Sequence, residues 1–85
     1  AEKVGSLMKE LAQTQQIITI THLPQVAAAG SAHWKVSKTQ TTDSTVSTVH
    51  SLDQSERISE VARMLSGAKI TDAAKNQAEV LLNAL

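Results

Sequence analysis

Apolar positions recur at helical spacing near both ends of the chain and at strand spacing between them. Val4, Leu7, Met8 and Leu11 fall at i, i+3, i+4 and i+7, with Glu2, Lys3, Lys9 and Glu10 on the other faces. This predicts an amphipathic helix packed on a sheet. Thr14, Gln15 and Gln16 make a polar loop, and Ile17 to Thr21 is an uncharged, β-branched run with the composition of a strand buried on both faces. Pro24 fixes its own φ and biases Leu23 away from the helical region, so the chain turns before Gln25 to Ala29 form a helical turn that Gly30 can end. Ala32 to Ser37 alternates, with Trp34 and Val36 on one side and His33, Lys35 and Ser37 on the other, the pattern of a half-buried strand.

Lys38 to Ser44 is a polar connection, and Thr45 to Leu52 returns as a second strand, most simply antiparallel to the first. Its inward face is open: Val46 and Leu52 share one parity with Thr48 and His50, whereas Val49 has the other. Asp53-Gln54-Ser55-Glu56 is a capping box, with Ser55 as an alternative cap. Ile58, Val61, Ala62 and Leu65 make a further helical stripe, which Gly67 is placed to end in a left-handed conformation. Thr71 or Asp72 starts a last helix with a stripe of Ala74, Ala78, Leu81, Leu82 and Leu85. The expected order is helix, strand, strand, strand, helix, helix, an α/β arrangement in which residues 1–85 form one segment with no dividing linker and no repeat.

Composition narrows the picture. A chain of 85 residues buries only about 60 % of the surface it exposes when unfolded. Trp34 is its single aromatic residue, so Ile, Leu, Val, Met and Ala must build the core with little area each. Eight basic and eight acidic side chains cancel, giving no charge argument for nucleic acid or an anionic surface. The absence of cysteine excludes disulfides and thiol catalysis and fits a reducing compartment. No apolar run approaches the roughly 18 residues of a membrane span, and no signal-peptide pattern is present. A soluble, cytoplasmic protein is expected, without a membrane partner.

His22 directly follows the β-branched run, at the carboxyl end of the expected strand, the edge where open α/β sheets bind ligands. From spacing alone, a histidine that merely caps the strand or is satisfied by backbone is favoured over one that hydrogen-bonds a ligand. His22, His33 and His50 are too far apart in sequence to suggest a metal site, so none is assigned. His33 and His50 read as surface residues, and Lys35 and Lys38 as solvated lysines protecting a sheet edge. Arg57, Glu56, Glu60 and Arg63 read as a charged surface pattern with Arg63 in structural support. There is no phosphate loop, no apolar strand ending in Asp-Glu and no nucleophile elbow, so the chain alone should not hydrolyse ATP.

Thr21-His22-Leu23-Pro24-Gln25-Val26-Ala27-Ala28 resembles the switch-histidine segment of ATP-binding-cassette ATPases, and more narrowly that of the RecN family, related to the structural-maintenance-of-chromosomes ATPases. Glu60-Val61-Ala62-Arg63-Met64-Leu65-Ser66-Gly67 with Ile70-Thr71 is similar to a second block near that family's carboxyl end, in the same order and at about the same spacing. The resemblance spans nearly the whole chain. It implies the carboxyl-terminal segment of a P-loop, cassette-type ATPase head in a protein that repairs DNA double-strand breaks by recombination. It also implies ATP and Mg2+ bound in the full-length protein, a second head in a homodimer, DNA as partner, and a place at the bacterial nucleoid. In that reading His22 senses the γ-phosphate as the catalytic residue, and His22 and Gln25 are the residues facing the nucleotide. The segment alone should bind neither ATP nor Mg2+, and its exposed strand edge at Ile17 to Thr21 should make it self-associate as a homo-oligomer. The alternative is a small stand-alone α/β interaction module in which His22 is structural.

Overall fold

A computed structural model describes residues 2–83. Its elements run α1 (Glu2–Leu11), α2 (Pro24–Ala29), β1 (Trp34–Gln40), β2 (Thr45–Ser51), α3 (Gln54–Ser66) and α4 (Asp72–Asn83). The result is a small α/β protein with four helices and one two-stranded antiparallel sheet.

The strongest local signal builds the central helix. Asp53 accepts a hydrogen bond from the Glu56 backbone N–H at 2.8 Å while Glu56 Oε1 accepts from the Asp53 N–H at 3.0 Å, a reciprocal capping box that settles Asp53 over Ser55. At the other end Gly67 adopts φ +81°, the positive φ that glycine alone takes without steric cost, though its ψ of −145° lies outside the left-handed helical well. Thr71 Oγ1 accepts from the Ala74 N–H at 3.0 Å and caps α4.

Helices α3 and α4 hold the core. Val61, Ala62, Ala74 and Ala78 are buried between them, and Ile58, Leu65, Leu81 and Leu82 close around this cluster, as the two stripes predict. Leu85 lies outside the described residues. Alanines on the α4 face let the helices approach closely, which compensates for the lack of large side chains.

The amino-terminal half departs from expectation. Ile17 to Thr21 is extended but pairs with no strand, and Ile18 and Ile20 are 84 % and 99 % exposed. The three-strand arrangement is therefore corrected to two strands, because a strand forms only where another supplies its ladder. The stripe of α1 is corrected as well: Val4, Leu7 and Leu11 are exposed, and the helix packs through Gly5 on α2. A Cβ at Gly5 would stand 2.9 Å from the Gln25 carbonyl oxygen and 3.1 Å from the Ala29 Cβ, so only glycine permits this approach. Met8 is half-buried, and its sulfur accepts from the Thr19 hydroxyl at 3.4 Å.

The antiparallel hairpin forms, with Val36 opposite Val49 and Lys35 opposite His50, but Lys38 to Gln40, expected in the connection, pair with Thr45 to Ser47 and extend β1. Thr41 closes the turn by donating from its N–H to the Ser44 carbonyl at 2.8 Å. Its facing is the reverse of the expected one. Trp34, Val36 and Val49 share an outer face and are more than half exposed, whereas Lys35 and Ser37 on the other face are half-buried. Every residue of β2 is exposed, which resolves the ambiguity of its parity: neither face is buried. What joins the hairpin to the helices is polar. Lys35 Nζ lies 2.9 Å from Glu60 Oε2 of α3.

His33 is half-buried rather than on the surface, and its Nδ1 has no protein partner. Burial lowers its pKa below the usual imidazole value; Arg57 and, less, Lys35 push the same way against a smaller opposing pull from Glu60. The unfolded chain therefore binds a proton near pH 6.5 that the folded chain rejects, so stability falls as pH drops from that value towards the lowered folded pKa. The urea midpoint of wild type should fall more between pH 7.5 and pH 5 than that of His33→Asn; equal falls would contradict this. Replacing Asp53 with Ala should cost about 1 kcal/mol through the lost cap, read as a lower midpoint with unchanged denaturant slope.

Candidate functional site

The turn from Thr21 to Pro24 is defined by short-range chemistry. Leu23 is extended at φ −97° and ψ 119°, as a residue before proline should be, and its N–H donates to Thr21 Oγ1 at 3.0 Å. This hydroxyl-capped turn has His22 at its centre. Pro24 opens α2, where its missing N–H costs nothing. The Leu23 carbonyl accepts from both the Val26 N–H, at 3.1 Å, and the Ala27 N–H, at 3.0 Å. The backbone on both sides of His22 is thus tied down.

The His22 side chain is exposed, and its ring makes no hydrogen bond among the described residues. Gln25 stands half-buried in the first turn of α2, three positions on. The structure places these two residues three positions apart, on either side of the start of α2. An exposed imidazole on a fixed turn can donate or accept one hydrogen bond at each ring nitrogen. It has no enclosing walls of its own.

At the other end of α2 lies a feature that sequence reasoning placed on the surface. Arg57 is 9 % exposed, and its Nη2 donates to the carbonyls of Ala27 at 3.1 Å, Ala28 at 3.3 Å and Gly30. They lie at the carboxyl end of α2, where a helix runs short of internal donors although the Ala27 carbonyl also accepts from the Gly30 N–H at 3.4 Å, and a cation there opposes the negative end of the helix dipole. Gly30 is extended rather than left-handed, since the guanidinium satisfies what a glycine cap would otherwise cover. Burial lowers the Arg57 pKa, and its Nε is buried without a protein partner. The signal was present: Arg57, Val61 and Met64 fall at i, i+4 and i+7, extending the apolar stripe by a second face.

Glu60, also read as a surface charge, is 8 % exposed. Burial tends to raise its pKa, but hydrogen bonds and charge from Arg63 and Lys35 outweigh that and hold it below the ordinary carboxylate value. Arg63 Nε donates to both Glu60 oxygens, at 3.0 and 3.1 Å, which makes Arg63 the structural support expected of it. Lys35 is correspondingly a paired lysine and not a free one, whereas Lys38 and His50 remain exposed. A cleft of about 530 Å³ runs between the hairpin and α3, lined in part by Lys35, His50, Glu56, Glu60 and Arg63. His22 does not line it, and the cleft's buried carboxylate is already spent on two cations. The His22 turn is the better candidate. No group of three His, Asp or Glu side chains among the described residues is placed to hold a metal ion, and no helix is long and apolar enough to cross a membrane.

No protein-family model matches the chain. Individual proteins do. It is 46 % identical over 83 residues to the DNA repair protein RecN of Rickettsia felis, a match covering 98 % of this chain. It is 42 % identical over 85 residues to that of Xylella fastidiosa strain 9a5c, and 39 % identical over 82 residues to that of Vibrio cholerae. The chain spans about 15 % of the length of these curated relatives. Similarity at this level across nearly every residue places the chain in the RecN family of DNA repair proteins, as one segment of them.

Proposed function

We propose that the chain is the carboxyl-terminal part of an ATP-hydrolysing, cassette-type P-loop head in a RecN-type protein acting in recombinational repair of DNA double-strand breaks. The observation that carries this reading is the 39–46 % identity to proteins named DNA repair protein RecN over at least 96 % of the chain. A stand-alone interaction module is not favoured by a match to one segment of much longer relatives.

Within this reading His22 contacts the γ-phosphate. Its imidazole is exposed, unengaged and held on a turn tied at both sides, which suits a donor that must be in place before charge develops. Gln25, three positions on, is the second residue facing the nucleotide. With no phosphate loop in its sequence and no metal-holding group among its described residues, the chain leaves ATP and Mg2+ to be held mainly by other parts of the full-length protein. There the nucleotide supplies the transferable phosphoryl group, and the metal neutralises its charge. His22 donates a hydrogen bond to an oxygen on which negative charge grows, or orients the attacking water. Phosphoryl transfer depends on such positioning more than on covalent chemistry.

The unpaired run Ile17 to Thr21 is a strand of the head's sheet awaiting its neighbour. Isolated from it, the chain self-associates through this edge. The full-length protein pairs its heads as a homodimer, engages DNA and works in the cytoplasm at the nucleoid.

The test is ATP turnover by the full-length protein. His22→Ala should lower kcat by about 100-fold with KM for ATP changed little, the signature of an interaction made in the transition state. Unchanged turnover in a well-folded variant would remove His22 from the chemistry.

A further inference from the structure

Helix α2 is only six residues long, PQVAAA, with no charged side chain and no side-chain cap at its amino end. A helix this short does not persist on propensity alone, so whatever grips it decides where its first turn sits. Two contacts do so. Gly5 of α1 meets the helix at Gln25 and Ala29 through van der Waals contact, which sets a separation but slides easily. Arg57 Nη2 reaches the carbonyls of Ala27, Ala28 and Gly30, which share its two N–H groups, and such directional contacts restrain both rotation and translation of the helix.

The path from there to His22 is short. Arg57 grips the Ala27 carbonyl; the N–H of the same Ala27 donates to the Leu23 carbonyl; the Leu23 N–H donates to Thr21 Oγ1 across His22. Each link is a hydrogen bond, and one residue, Ala27, is shared by the clamp and the turn.

We propose that Arg57 is the positioning residue for His22, holding α2 so that the imidazole stands where the nucleotide's terminal phosphate arrives. This rests on the reading of His22 as the γ-phosphate contact. The arginine acts at a distance and touches no substrate. Its buried position suits that task, since a guanidinium is charged at any working pH and its long stem carries Nη2 from α3 to the carboxyl end of α2.

The experiment uses the full-length protein with Arg57→Met, Arg57→Lys, His22→Ala and the double variant His22→Ala/Arg57→Met, each checked by its melting temperature. Arg57→Met keeps the packed stem and removes the clamp. It should lower kcat about tenfold with KM for ATP within about twofold, because positioning is lost and binding elsewhere is not. Arg57→Lys, which restores the charge and part of the hydrogen bonding, should recover part of the loss and remains readable if the methionine variant folds poorly. In the double variant, Arg57→Met should cost nothing beyond His22→Ala, since a residue that acts through His22 has nothing left to position. A purely structural role would instead multiply the two losses, and that result, or unchanged kcat in both Arg57 variants, overturns the proposal. Unchanged turnover in His22→Ala is a separate failure, which removes the reading beneath it as well.

Discussion

A buried guanidinium, together with the packing of α2 against α4, joins the two parts of this chain. Arg57 rises from α3, whose other face is sealed against α4, and reaches the carboxyl end of α2, tying the amino-terminal half to the helical core. Taking a charged group out of water is costly, and the arginine is tolerated because carbonyls at the end of α2 meet it. Removing it would take a donor from those carbonyls and leave the cavity of its stem, so the clamp cannot be deleted without loosening what it holds. Glu60, three residues on, repeats the device towards the hairpin by joining Lys35 and Arg63. Helix α3 is thus a hub with an apolar side that supplies stability and a polar side that supplies orientation.

The same economy explains what is left open. An apolar core made chiefly from alanine and valine between two helices has no capacity to cover a sheet, and the outer face of Trp34, Val36 and Val49 stays in solvent. Ile18 and Ile20 project from a backbone without ladder partners. The proposed γ-phosphate contact sits directly beyond the open run. Completing that strand and presenting His22 would then be parts of one event.

Local signals were legible from sequence because they involve only near neighbours. The Asp53 box, the Pro24 start of α2, the hairpin and the α3 and α4 stripes each depend on residues within a few positions of one another. The His22 turn was legible for the same reason, down to the residue at its centre. What sequence patterns misplaced was long-range pairing. Ile17 to Thr21 has the composition of a buried strand, but burial requires a partner that no local pattern supplies. Val4, Leu7 and Leu11 outnumber Gly5 on α1, yet close helix contact selected the glycine. Arg57 and Glu60 were taken for solvated charges because charge is usually outside; their spacing placed them beside the stripe, and only the positions of α2 and β1 decided that they turn inward.

The most direct measurement is amide hydrogen exchange along Ile17 to Leu23 in the full-length protein, with ADP and with a non-hydrolysable ATP analogue. The account predicts strong protection of Ile17 to Thr21 in both states, as a strand that has found its neighbour, and added protection at His22 and Leu23 only when the γ-phosphate is present. Fast exchange along the whole run, indifferent to nucleotide, would contradict it: the segment would then be a solvent-exposed connector, and His22 would have no phosphate to meet.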